Sequence, residues 1–290
     1  MAIERLPSTG DAPRSTGVPA SLVPGGAADS AGFPWAGRTF DHHETAFADD
    51  DGCASESLRA AVRELRTAAA LRQAQGAVAL EALAAAHAEA LFELSGSRVL
   101  IPLLAEAGDL GLTPEGRTVE KTQELSIVTV AGPDGRRVMP VFSSVDAMRA
   151  WNPEARPIPV PMPQAALAAA QEQTDLIIVD PGTPLAELGV RRTQLEAVAL
   201  GAVALPAWAD AEVITAFRVS ASDDPRVRGV EIAPADPEAR LLEAEVAVTV
   251  SLRPGLEQHE LTALLTELQQ RWAASEVIAG RVDSLKLVLR

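Results

Sequence analysis

The sequence has one cysteine, Cys53, no tyrosine, and only 3% aromatic residues. A single thiol excludes an internal disulfide framework and fits a reducing compartment. Basic residues are scarce as well: 25 Lys and Arg stand against 40 Asp and Glu, a net charge of −15. That balance repels phosphate backbones and anionic lipid, so neither nucleic acid nor a membrane is expected as a partner. The basic residues read as isolated pairs, Arg136-Arg137 and Arg191-Arg192, with no aromatic residues interleaved for base stacking. Long apolar runs are missing too. The longest, Ala197 to Ala209, contains Pro206 and falls short of the ~20 residues that span a bilayer. Met1 to Gly10 lacks the basic start and apolar stretch of a secretory signal, so a cytoplasmic location is expected. There is no phosphate-binding or dinucleotide-binding glycine motif, no paired-cysteine motif and no HExxH helix, and no cofactor is expected.

Apolar residues still make up 47% of the chain, much of it alanine, enough to bury an aliphatic core. Residues 1–40 are rich in Gly, Pro, Ser and Ala without apolar periodicity, and read as a disordered tail. Two domains are expected after it, at 41–205 and, smaller, at 206–290. Together they make an α+β fold of two α/β-type domains, with a mixed sheet and packed helices in the first and a βββαβ unit in the second. In the first, Ser57 is placed to cap a helix carrying Leu58, Val62 and Leu65, with a break at Gly76. A second stripe, Leu80, Leu83, His87, Leu91 and Leu94, steps by three or four residues and predicts another helix. Arg98 to Leu104 reads as a strand, and Leu125 to Phe142 as a hairpin around Gly132-Pro133-Asp134-Gly135. Ser143 is placed to cap the next helix, with Asp146 three residues on. An alanine-rich helix to about Thr174, the strand Leu176 to Val179 and a helix from Gln194 to Ala202 complete this domain. In the second domain, Val213 to Val219, Arg228 to Ile232 and Leu241 to Leu252 read as strands. An amphipathic helix through Leu261, Leu264, Leu265, Leu268 and Trp272 follows, and then a final strand at Leu285, Leu287 and Leu289.

Several blocks occur in an order that resembles the SseB (enhanced serine sensitivity protein B) family of actinobacterial type. They are Phe47-Ala48-Asp49-Asp50-Asp51-Gly52, Arg98 to Pro102, Glu120-Lys121-Thr122, Met139 to Ser144, Trp151 to Val160, and Leu176 to Gly182. Residues 213–290 are similar to the smaller C-terminal domain of that family. The resemblance implies a two-domain fold; it implies no reaction and lends no catalytic residue.

The residues that could carry chemistry have plain structural readings beside them. Asp41-His42-His43-Glu44 with Asp49-Asp50-Asp51 offers metal ligands, but adjacent histidines point apart. An EF-hand loop from Asp49 would need glycine and glutamate where Ala54 and Ala60 stand, so this is read as a solvated acidic segment and no metal is expected. Cys53 follows three aspartates that disfavour its thiolate. Ser143 and Ser144 lack the glycine elbow of a nucleophile. His87 and His259 have no carboxylate in helical register, and Asp180 before Pro-Gly reads as a turn. No catalytic set is expected. The ligand-binding candidates are Lys121, Trp151 and Arg156, where cations and an indole could hold a carboxylate. The reading that follows is a non-enzymatic interaction or regulatory protein with an unidentified protein partner. The alternatives are a sensor for a small, amino-acid-type molecule and an enzyme whose residues meet only in three dimensions.

Overall fold

The computed structural model describes residues 47, 49–105, 110–112, 118–120, 125–132, 135–171, 174 and 176–290. The 1–40 tail, the 41–44 cluster and Lys121 lie outside the described residues. Helix α1 (Glu56–Gln75) starts where the Ser55 hydroxyl accepts the Leu58 N–H, two residues before the expected cap. Its buried stripe is Leu58, Ala61, Val62, Leu65, Ala68 and Ala69, and Gly76 closes it with a positive φ of 67°. Helix α2 (Leu80–Ser95) packs on it through Leu83, Ala84, Leu91 and Leu94, the alanines bringing the axes close.

Then come β1 (Arg98–Ala105), the small pair β2 (Leu110–Leu112) and β3 (Thr118–Glu120), β4 (Leu125–Ile127), β5 (Val130–Ala131) and β6 (Arg137–Val141). Of the hairpin expected over Leu125 to Phe142, only β5 pairs with β6, Val130 opposite Val138, while Leu125–Ile127 pairs with β1 instead. Helix α3 (Val145–Trp151), β7 (Arg156–Pro161), α4 (Met162–Gln171), β8 (Leu176–Val179), β9 (Leu188–Val190) and α5 (Leu195–Leu200) follow. Strands order as β4-β1-β7 and as β5-β6-β8-β9, with β6 and β8 parallel. Leu100 and Phe142 exchange main-chain hydrogen bonds and link the two groups.

Strand β7 carries proline at every second position. Leu100 turns its N–H and C=O away from β7, so its partner Pro159, and with it Pro157 and Pro161, faces the outer edge. The missing N–H groups therefore lie on the side that makes no ladder bonds, where an edge strand tolerates proline.

The C-terminal portion runs α6 (Ala211–Ala221), β10 (Val227–Pro234), β11 (Val246–Leu252), α7 (Gln258–Ala274), α8 (Glu276–Arg281) and β12 (Leu285–Leu289). The α+β class is as expected, but the first strand of the βββαβ unit is a helix. The Asp210 carboxylate caps α6 by accepting from the Glu212 and Val213 N–H groups, and Val213, Phe217 and Ala221 bury one face four residues apart. Burial at that spacing outweighs the strand preference of Val213, Ile214 and Val219. Residues 241–245 also stay out of β11. Leu241 N–H is taken by Asp236, and Gly189 lies so close that a Cβ there would stand 2.4 Å from Leu241 Cγ.

One apolar cluster runs from Leu58 through Trp208 to Val282, across both portions. A buried polar cluster spans them too. Arg191 donates to Asp236 (2.7 Å), Ser284 (3.1 Å), Asp283 (3.4 Å) and the Glu243 carbonyl (3.0 Å), while Arg136 holds Asp283 with two bonds of 2.8 and 3.0 Å. Burial pushes the Asp283 carboxyl up, but Arg136 and Arg191 outweigh it and hold the group below its ordinary range. Glu245 beside them is raised, chiefly by burial, although the Asp283 and Ala207 N–H groups donate to it.

His87 sits in the core with its ring edge-on to Trp208, centroids 6.4 Å apart. Burial, helped by the Arg191 charge, lowers its pKa to about 4. A histidine depressed in the folded state favours folding above its unfolded pKa near 6.5, and that contribution is lost as the pH falls from there toward 4. Between pH 7 and 4.5 the wild type should lose roughly 2–3 kcal/mol more stability than His87→Leu. Urea unfolding at the two pH values checks this, and identical losses in the two proteins would contradict it.

Candidate ligand-binding cleft

The parallel strands β6 and β8 end side by side, where open α/β sheets place their ligand sites. Asp180 follows β8 at φ 49°, a left-handed backbone that aspartate tolerates, and its N–H bonds Val141 at the end of β6. Its carboxylate is 2% exposed and accepts the Ser143 N–H at 2.8 Å and the Ser143 hydroxyl at 2.5 Å. Burial pushes the Asp180 carboxyl above its ordinary value, partly offset by the two bonds from Ser143. Ser144, not Ser143, caps α3 by accepting the Ala147 N–H at 3.1 Å, which leaves Ser143 free to tie the two strand ends.

Over this point lies α1. Arg59, Arg63 and Arg66 face the same way from steps of four and three residues, and with Leu58, Val62 and Thr67 they form one wall of a cleft of about 440 Å³. Ser143, Val179, Asp180, Leu185, Ala186 and Leu188 form the other. The floor is apolar and buried: Val62, Val179 and Leu188 are at most 3% exposed. The rim is charged, with the Arg59 and Arg63 side chains 54% and 61% exposed, both paired with Glu56 at the surface. Those pairs are solvent-screened and exchange at little cost.

Arg66 works differently. It donates to the carbonyls of Pro184, Glu187 and Glu238, pinning the loop after β8 and the 236–239 turn to α1. Burial lowers its pKa, opposed in part by the nearby Glu238 and Glu187 charges. The loop is held further by Glu187, which accepts from the Gly182 N–H and from Arg240 at 2.7 Å. The cleft is therefore preformed.

The other candidate residues lie elsewhere. Trp151 closes α3 and packs against Phe142, ring centroids 5.3 Å apart and planes tilted by 42°, in a small cluster with Leu100, Met148 and Ala155. Arg156 opens β7 and is exposed. Cys53 is exposed, and Asp51 first among its neighbours raises its thiol. His259 is exposed beside Glu257. Among the described residues no three His, Cys, Asp or Glu side chains gather into a metal-holding group, and no helix is long and apolar enough to cross a membrane. The arginines of α1 form no adjacent pair; their 59, 63, 66 spacing is the sequence signal that puts them on one helix face.

An α+β protein with a preformed cleft at paired strand ends is the class these features define. Residues 59–197, just under half of the chain and most of the cleft wall, match the family model of the SseB protein N-terminal domain. No curated protein and no solved structure matches the chain.

Proposed function

We propose that the chain is a non-enzymatic, cytoplasmic regulatory protein of the SseB family, of actinobacterial type with an SseB-like C-terminal portion, and that it senses a small organic anion bound in the α1–β8 cleft. The observation that carries this is the pairing of a buried apolar floor with two guanidinium groups at the rim. Such a site takes a ligand with an apolar body and one carboxylate or phosphate, which forms charge-assisted bonds to arginine. The cleft volume lies within the range of small-molecule sites, about 300–1,000 Å³. The Ser143 hydroxyl donates a hydrogen bond to the Asp180 carboxylate, and neither histidine nor cysteine is among the residues lining the cleft. An amino-acid-type ligand agrees with the family name and with this chemistry. A protein partner would read out the bound state.

A thermal-shift panel of aliphatic carboxylates, amino acids and phosphate monoesters tests this. A member present at about 100 times its Kd should add about 2.7 kcal/mol of stability. A panel with no shift at any member, up to millimolar concentration, would sink the reading.

A further inference from the structure

We infer that β12 is a self-pairing edge and that a second copy of the chain docks on it antiparallel, joining two three-stranded sheets into one. Strand β12 ends the order β10-β11-β12. Its bonds to β11 are made by alternate residues: Ser284 accepts from Val246, and Arg290 both donates to Val250 and accepts from Leu252. Leu285, Leu287 and Leu289 therefore turn their N–H and C=O groups outward. Among the described residues, nothing pairs with them. The β7 edge carries prolines at these outward positions, and β12 has none.

The same three leucines lie on the core face. They are the register partners of Val246, Val248 and Val250, all buried completely, and Leu287 packs against the main cluster. Yet Leu285 and Leu289 remain 38% and 40% exposed, as does Val288 at 39%. The apolar row of the sheet thus runs to its edge and stops there uncovered. Exposed apolar edges of this kind are what other strands pair with.

The occupant follows from the sequence of the strand. Leu285-Lys286-Leu287-Val288-Leu289 is close to a palindrome about Leu287. Two-fold antiparallel pairing sets Leu287 against Leu287 of the second copy and Leu285 against Leu289 of the second copy, each pair exchanging two main-chain bonds. The register also suits the charges. Lys286 falls opposite Val288 of the second copy and Arg290 opposite Ser284 of the second copy, so no like charges meet. Lys286 is already neutralised by Glu243 at 3.2 Å.

The area covered by one five-residue edge is below the ~800 Å² per partner of a standard interface, so the dimer should be weak, with a Kd in the micromolar range or above. Each copy carries a net charge of −15, so added salt should strengthen it.

Sedimentation velocity from about 1 to about 500 µM brackets that range. The wild type should shift from monomer to dimer, while Leu285→Glu/Leu289→Glu and Leu285→Lys/Leu289→Lys should each stay monomeric with unchanged far-UV circular dichroism. Mixing the two variants should restore a dimer, because the register sets glutamate against lysine. Amide exchange of the wild type gives a second readout, with protection rising with concentration at Leu285, Leu287 and Leu289. A wild type that stays monomeric throughout, or a dimer that persists in both variants, would overturn the inference.

Discussion

Arg191→Met should cost about 3–5 kcal/mol of folding stability, because it removes one partner of a buried charge cluster and leaves the others behind. The Arg191 side chain is 5% exposed, and its partners Asp236 and Asp283 are 6% and 0% exposed. With the guanidinium gone, Asp236 keeps only its bonds from the Arg240 and Leu241 N–H groups, and Asp283 keeps Arg136 and Ser284. Methionine of similar length fills the space, so the loss reports uncompensated charge and not a cavity. Arg281→Met is the matched control. Its ion pairs with Asp210 and Glu212 are made by a side chain 49% exposed, screened by solvent, and should contribute little. Urea unfolding at neutral pH compares them. Equal small losses in both would mean that the buried cluster does not hold the two portions together. Arg191 and Arg136 come from one portion and Asp236 and Asp283 from the other, so the variant should also loosen the joint between them.

Most of the elements could be read from the chain because their period is local. Leu83, His87, Leu91 and Leu94 do face the core of α2, and Val246, Val248 and Val250 do line the buried face of β11. The misses share a cause. At α6 the side chains favour a strand and the decision rests with one capping carboxylate, Asp210, and with burial against distant partners. At β7 the prolines say loop unless one knows which side of the strand bonds to β1. Ser143 and Ser144 are equivalent as caps by sequence, and only the position of Asp180, far along the chain, separates their roles. The cleft was legible in pieces. Asp180 reads as a turn before Pro-Gly, and the arginines of α1 carry only their helical spacing, without an adjacent pair to mark them. What joined them was the packing of α1 over the ends of β6 and β8, which no local pattern encodes.

The cleft itself predicts the other large effect. If a ligand anion is held by Arg59 and Arg63, reversing both to glutamate removes two charge-assisted bonds, each contributing roughly 1.5–3 kcal/mol, and adds repulsion. Both side chains are more than half exposed, so the fold should survive with little change in stability. The decisive measurement is a calorimetric titration of wild type and Arg59→Glu/Arg63→Glu with whichever panel member gives the largest thermal shift. Loss of affinity by about 100-fold or more, with an unaltered unfolding midpoint in the absence of ligand, is the predicted result. Equal affinity in the two proteins would contradict the claim that this cleft is the binding site.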